Sequence, residues 1–261
     1  MPEYETLNLS RRGRLLTLAF NRPDVLNAFN ARMHVEILDA IAFADRDAES
    51  DVIVLTGAGR AFSAGGDLER MEQCIADPDA FAVDAADAKR IVFRLLEIEK
   101  PVVAKVNGHA VGLGATIALL CDVIFAAETA KIGDPHVKVG LVAGDGGAVI
   151  WPQLVGFARA KEYLLTGDLI PAPEAAKMGL INHAVPDIDL DARVDAFCEK
   201  LLAGSAQAIR WTKATVNIEL KRIAHAVMDT GIAYEALTVR SPEHRAAVEA
   251  MRERIGRKGG A

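Results

Sequence analysis

Cysteine is scarce in this chain of 261 residues, and Cys74, Cys121 and Cys198 stand far apart, outside any Cys-x-x-Cys spacing. That pattern supports neither a disulfide framework nor a structural zinc site, and a reducing cytoplasm is the expected home. His34, His183, His225 and His244 are scattered without carboxylate or cysteine partners at metal spacing, so no metal site is expected. Nowhere do about 18 apolar residues run together, so no membrane span is expected. The opening Met1-Pro2-Glu3-Tyr4-Glu5 lacks the basic and apolar stretches of a secretory leader. No lysine or arginine run is present and the formal charge is −6. Nucleic-acid and membrane-surface partners are therefore not expected, although a local basic rim for a phosphate-bearing ligand stays open. Aromatic residues make up only 5%, which points to an aliphatic pocket. Repeats, low-complexity stretches and Pro/Ser-rich linkers are missing too.

What is present suits one α/β domain of ordinary size, with hydrophobic residues at 51%. Tyr4–Leu9 and Leu15–Phe20 flank Arg11-Arg12-Gly13 as a hairpin would, and lead to a turn at Asn21-Arg22-Pro23-Asp24. Asn30 is placed to cap a helix on which Met33, Ile37 and Ile41 recur at helical spacing. Val52–Thr56, Val102–Val106 and Asp122–Ala126 read as strands alternating with helices over Ala80–Ile98 and Gly114–Leu120, which implies parallel pairing through crossovers. After Gly147 the pattern is mostly helical, interrupted by Leu180–Val185. From Asp189 to Arg254 it is helical throughout, with breaks expected near Gly204, Gly231 and Pro242. The expected division is a core over 1–188 and a helical region over 189–261.

Two glycine-rich turns carry the chemistry. Ala61-Phe-Ser-Ala-Gly-Gly-Asp-Leu68 and Val106-Asn-Gly-His-Ala-Val-Gly-Leu-Gly-Ala-Thr116 each follow an apolar strand and open into a helix. Glycine lets the main chain bend sharply and approach a ligand, and a helix N-terminus adds unpaired donors. Two such turns can aim backbone N–H groups at one oxygen, an oxyanion hole worth about 3 to 4 kcal/mol per donor. One turn alone would read better as close strand–helix packing, and it is the pair that reverses this. The Gly112-x-Gly114 pair with Asp134 beyond it lacks the third glycine of a dinucleotide fingerprint. Ser63 is not in a G-x-S-x-G elbow, His109 reads as a packing or backbone-bonding residue, and Asp67 reads as a helix N-cap.

Together with Asn21-Arg-Pro-x-x-x-Asn-Ala28, Lys100-Pro-Val-Val-Ala-Lys-Val106 and Cys121-Asp-Val-Ile-Phe-Ala-Ala-Glu128, these turns resemble the enoyl-CoA hydratase/isomerase (crotonase) superfamily in order and spacing. Matches at Gly140, Gly146-Gly147, Leu164–Gly167 and Ala175–Leu180 extend the likeness over most of the chain. The resemblance implies a crotonase-like α/β spiral of ββα units, a helical C-terminal trimerisation region, and a homotrimer or dimer of trimers. The implied substrate is an acyl-CoA thioester, with coenzyme A entering as part of the substrate rather than as a cofactor. It places the thioester oxygen between the N–H groups of Gly66 and Leu113. Val25, Ala28, Ala64, Gly65, Asp67, Leu68, Gly112, Thr116, Pro135 and Gly144 line the substrate path. Arg22 is the candidate for the CoA phosphates, with Arg210 and Lys213 as weaker ones.

The chain departs from the superfamily where hydratases carry two glutamates, since those positions read Thr116 and His136. A threonine cannot serve as a base near neutral pH, and at most its hydroxyl would hold a water. A histidine titrates close to neutrality, which suits acid/base work. Asp145 lies in a small loop that can bring a carboxylate to the imidazole and fix its tautomer, although an N-cap before Gly146–Trp151 is the plainer reading. The stretch from Asp134 to Pro152 locally resembles the superfamily's β-diketone hydrolases, 6-oxocamphor hydrolase among them, which use a histidine and an aspartate at these two positions. Three readings therefore stand: a CoA-thioester lyase or isomerase working through His136 and Asp145, a hydrolase of C–C bonds in β-dicarbonyl compounds, and a CoA-binding protein without activity.

Overall fold

In the computed structural model, which describes residues 1–259, apolar alternation in Leu7–Arg12 (β1) and Leu15–Phe20 (β2) gives an antiparallel hairpin. Leu7 pairs with Phe20 and Arg12 with Leu15 across its tight turn. The Asn30 side chain accepts from the Met33 N–H at 2.9 Å and starts α1 (Ala31–Arg46), whose Met33, Ile37 and Ile41 are buried as their spacing demands.

Three ββα turns follow. First, β3 (Val52–Gly57) and β4 (Ala61–Ser63) precede α2 (Leu68–Ala76) and α3 (Pro78–Glu97). Next, β5 (Val102–Val106) and β6 (His109–Val111) precede α4 (Leu113–Leu119). Then β7 (Val123–Ala127) and β8 (Lys131–Gly133) precede a 3-10 turn over His136–Val139 and α5 (Gly147–Thr166). The chain continues through β9 (Ile170–Pro171), α6 (Ala172–Met178) and β10 (His183–Val185) to α7 (Leu190–Leu202), α8 (Ala206–Val239) and α9 (Pro242–Gly259).

The first strand of each turn joins one sheet and the second joins another. The larger sheet has the order β1-β2-β3-β5-β7-β10 and the smaller β4-β6-β8-β9. All neighbours are parallel except β1 with β2 and β8 with β9. This is the expected α/β spiral with a long helical end. Every residue of β3 is buried, as a parallel strand covered on both faces requires. Phe20 sits edge-on to both Phe29 and Phe62, at 5.3 and 5.2 Å between ring centres, and all three are fully buried. Each such ring contributes about 1.5–3 kcal/mol through burial. This aromatic knot anchors the turn containing Phe29 to the sheet beneath the site.

Two differences from the sequence reading matter for function. The smaller sheet is built from strands of two or three residues, too short to announce themselves by alternation. Gly231 does not break α8, which runs unbroken from Ala206 to Val239. It instead meets Gly144 backbone to backbone: a Cβ on Gly231 would lie 3.2 Å from the Gly144 Cα, and one on Gly144 only 2.4 Å from the Gly231 carbonyl oxygen. The helix thereby reaches the loop before α5. Among the described residues no helix is long and apolar enough to cross a membrane.

Candidate active site

The Asn21–Ala28 segment is a staple for the first glycine turn. Leu26 and Asn27 both adopt the left-handed region, at φ 55° and 56°. Asn27 is held there by its side chain, which donates to the carbonyls of Ala58 and Ala61 at 2.9 and 2.8 Å and accepts from the Arg22 N–H at 2.8 Å. Ser63 Oγ donates to the Asn27 carbonyl at 2.8 Å. Phe29 then bridges the turn, donating to the Gly65 carbonyl at 2.7 Å and accepting from the Asp67 N–H at 3.0 Å. The N–H between them, that of Gly66, is not used among the described residues. Nor is that of Leu113, the first residue of α4. The residue before each donor, Gly65 or Gly112, has positive φ, 85° and 54°. A Cβ on Gly65 would sit 2.8 Å from the Val111 carbonyl oxygen, so the two turns can approach only with glycine there. Gly66 and Leu113 both line a cavity of about 110 Å³.

Four ionisable groups meet in the same cavity region. The Asp134 carboxylate is in hydrogen-bond contact with His136 Nδ1. The other ring nitrogen, Nε2, lies 3.5 Å from Asp145 Oδ2 and 3.9 Å from Glu235 Oε1. Burial by itself disfavours the imidazolium, but Asp134 and Asp145, with Glu235 behind them, outweigh it and hold the His136 pKa well above its ordinary value. Burial pushes the Asp145 carboxyl up to about 6, against the opposing pull of His136. The same cause pushes Glu235 up to about 8. The surroundings thus favour the charged form of His136, while burial favours the neutral forms of Asp145 and Glu235, Glu235 more strongly. Donor atoms of Asp134, His136 and Asp145 lie within 4.8 Å of one another. Because Asp134 and Nδ1 face each other in a hydrogen bond, the grouping is a proton-sharing cluster.

Several residues take roles here other than those expected from the sequence. Asp134, not Asp145, fixes the imidazole through Nδ1, and Asp145 faces Nε2. The residue at the N-cap of α5 is Gly146, without a side-chain cap, so Asp145 does not take the capping role. Thr116 is fully buried and its hydroxyl donates to Asp145 Oδ1 at 3.4 Å, so it braces the carboxylate. Arg22 turns inward, donating to Asp67 Oδ2 at 2.8 Å and to the Ala28 carbonyl, instead of standing free for phosphates. Arg210 and Lys213 are likewise occupied by Asp51 and Asp122, at 2.7 Å each. Asp67 is the N-cap of α2, accepting from the N–H groups of Glu69 and Arg70, and it lines the cavity. His109 accepts the Lys131 N–H at 3.2 Å, the backbone role expected of it.

The cavity brings together Gly66, Asp67, Leu113, His136 and Asp145; Val25, Ala28, Ala64, Gly65, Leu68, Gly112, Thr116, Pro135 and Gly144 lie outside its lining. Val25 is exposed and Ala28 buried, while Pro135 leads into the 3-10 turn that carries His136. Gly144 supports the site from behind: a Cβ there would also meet Glu235 Oε2 at 2.7 Å. Sequence reasoning missed Asp134 and Glu235 as site residues. Asp134 carried a signal in its position two residues before His136. Glu235 carried none, because only the packing of α8 brings it in.

Residues 11–255 match the enoyl-CoA hydratase/isomerase family. The chain belongs to that family. A crotonyl-CoA hydratase of Syntrophomonas wolfei is 38% identical over 216 residues, 82% of each chain. A probable enoyl-CoA hydratase of Mycobacterium tuberculosis is 35% identical over 232 residues, 89% of this chain and 87% of the relative. The crystal structure of an enoyl-CoA hydratase/isomerase from Mycobacterium paratuberculosis superposes with a TM-score of 0.91 at 38% identity, covering 95% of this chain and all of the other. The protein is an enzyme of the hydratase/isomerase family, and its fold is theirs. The likeness to β-diketone hydrolases rests on the Asp134–Pro152 stretch alone, and none of these three relatives is a hydrolase of that kind.

Proposed function

We propose that the protein hydrates or isomerises the acyl group of an enoyl-CoA thioester through an enolate, with His136 and Asp145 in place of the usual two glutamates. The observation that carries this reading is the shared cavity: Gly66 and Leu113, whose backbone N–H groups are unused among the described residues, line the same space as a His–Asp pair. Negative charge gathers on a thioester oxygen only when the enolate forms, so fixed donors at that oxygen favour the transition state over the bound substrate.

The proton balance closes within the pair. Ionised Asp145 takes a proton, from the substrate carbon in isomerisation or from water adding to the β-carbon in hydration. The His136 imidazolium delivers its Nε2 proton to the enolate, at the carbon that completes the product. Asp145 is then protonated and His136 neutral, and one transfer from Oδ2 to Nε2 across 3.5 Å restores the starting state. Asp134 keeps Nδ1 occupied, so only Nε2 trades protons.

The test is turnover and solvent-proton exchange on 2-enoyl-CoA and 3-enoyl-CoA thioesters and on a 3-oxoacyl-CoA, with native protein, His136→Ala and Asp145→Asn. Both variants are expected to lose about 10²- to 10⁴-fold in turnover while still binding the thioester. Cleavage of the 3-oxo substrate alone would establish the C–C hydrolase instead, and binding without chemistry would establish the idle binder. As part of the same reading the protein forms a homotrimer or a dimer of trimers through its helical end, and works in the cytoplasm, where its three buried free cysteines stay reduced.

A further inference from the structure

His34 is a part of the cavity wall that the enolate chemistry leaves unused. It sits on α1, edge-on to Phe29 at 5.5 Å, is 7% exposed, and lines the same cavity as His136 and Asp145. Its Nδ1 is buried and meets no hydrogen-bond partner among the described residues. An orphaned buried nitrogen is costly, and an apolar side chain of similar size would avoid the cost. The position therefore calls for a partner that the chain itself does not supply. A half-turn of the ring exchanges its nitrogen and carbon positions without changing its shape, so a nitrogen can be presented to the cavity in either orientation.

Neighbouring groups narrow what that partner is. Asp84 is held by Arg70 through two contacts of 2.8 Å, and Asp87 by Arg90 at 2.7 Å, so the nearby charges cancel in pairs. Burial keeps the His34 pKa below its ordinary value, despite the pull of Asp84 and Asp87. A neutral imidazole offers one N–H and one lone pair. With no uncompensated positive charge beside it, it does not suit a carboxylate or phosphate.

We propose that this end of the cavity selects acyl groups bearing a neutral hydroxyl or keto oxygen beyond the reacting carbons, with His34 as the hydrogen-bond partner of that oxygen. The inference rests on the acyl-CoA reading above. It is tested with pairs of acyl-CoA thioesters of equal chain length, one plain alkyl and one carrying the oxygen, by both equilibrium binding and turnover. The proteins compared are the native chain, His34→Leu and His34→Gln. The native protein is expected to favour the oxygenated member by about tenfold or more in Kd and kcat/KM. His34→Leu should erase the preference while raising Tm, since it removes the orphaned nitrogen, and His34→Gln should retain part of it. Equal or tighter binding of the alkyl member by native protein, or a preference that survives His34→Leu, overturns the inference. A binding preference without turnover of any thioester would reject the catalytic reading and uphold this one, whereas binding of neither thioester would reject both.

Discussion

Asp134, Asp145 and Glu235 present three carboxyl groups to one imidazole in a space largely closed to solvent, and groups so placed cannot all carry charge at once. The pH dependence of activity follows from which of them lets go first. In the proposed mechanism Asp145, pushed up to about 6, must be ionised to take a proton, so turnover is expected to rise as pH passes through that region. Glu235, pushed up to about 8, adds a negative charge beside the base when it ionises, and turnover is expected to fall there. Glu235→Gln should keep the acid limb and extend the plateau on the alkaline side; a pH–rate profile identical to the native one would remove Glu235 from the cluster's proton economy. Stability, unlike turnover, falls through both regions. Both carboxyl groups have folded pKa values raised above their unfolded ones, so the folded chain binds more protons than the unfolded chain from about pH 4 upward. Their contribution is lost as pH rises through about 6 and about 8. His136 adds a contribution that is full below its ordinary value and lost as pH rises through its higher folded value. Urea midpoints across pH 5 to 9 should therefore decline with pH, and less steeply in Glu235→Gln.

The helix α8 shows how much an element can matter to a site assembled on loops. Gly144 and Gly231 let two backbones meet, and that contact seats Glu235 beside His136. Gly144→Ala is expected to push α8 outward, at about 1–3 kcal/mol of stability, with turnover falling further than the stability loss explains; denaturation curves and kinetics on the same preparation separate the two effects. Asn27→Ala should cost a comparable amount, since it strands the carbonyls of Ala58 and Ala61 and frees a left-handed turn. The local parts of this picture are readable in the sequence. Asn30 announces its helix, the glycines at 65 and 112 announce the donors that follow them, and Asp67 announces its cap. Each of those signals acts within a few residues of itself. Glu235 is invisible there because its role depends on a neighbour ninety-one positions earlier, and Gly231 misleads because a helix glycine that breaks and one that packs look alike without the partner surface. Arg22 reads as outward-facing from its turn, and only the folded chain shows that Asp67 claims it.

At the scale of the molecule, the outer face of the helical end carries large apolar side chains. Trp211, Val216, Ile218, Tyr234 and Leu237 on α8 are all exposed in the single chain. Exposed apolar side chains of that size are expected to be covered when copies associate. Sedimentation equilibrium is expected to give three or six times the chain mass of 27.9 kDa. Replacing Trp211 and Leu237 with charged residues should shift the distribution toward monomer. A monomer in the native protein at working concentration would remove the trimer from the reading.

The two unused N–H groups, the histidine loop and the α8 carboxyl come from positions 66, 113, 136 and 235, and this spread has a consequence for biosynthesis. A nascent chain completes its first ββα turns while α8 has yet to be made, and domains fold as their segments emerge. The donors at Gly66 and Leu113 can thus exist before the carboxyl that completes the proton cluster arrives. Contacts of such long sequence separation are also slow to close. On the proposed chemistry, a growing chain is expected to acquire its capacity to polarise a carbonyl first and its full capacity to move protons last.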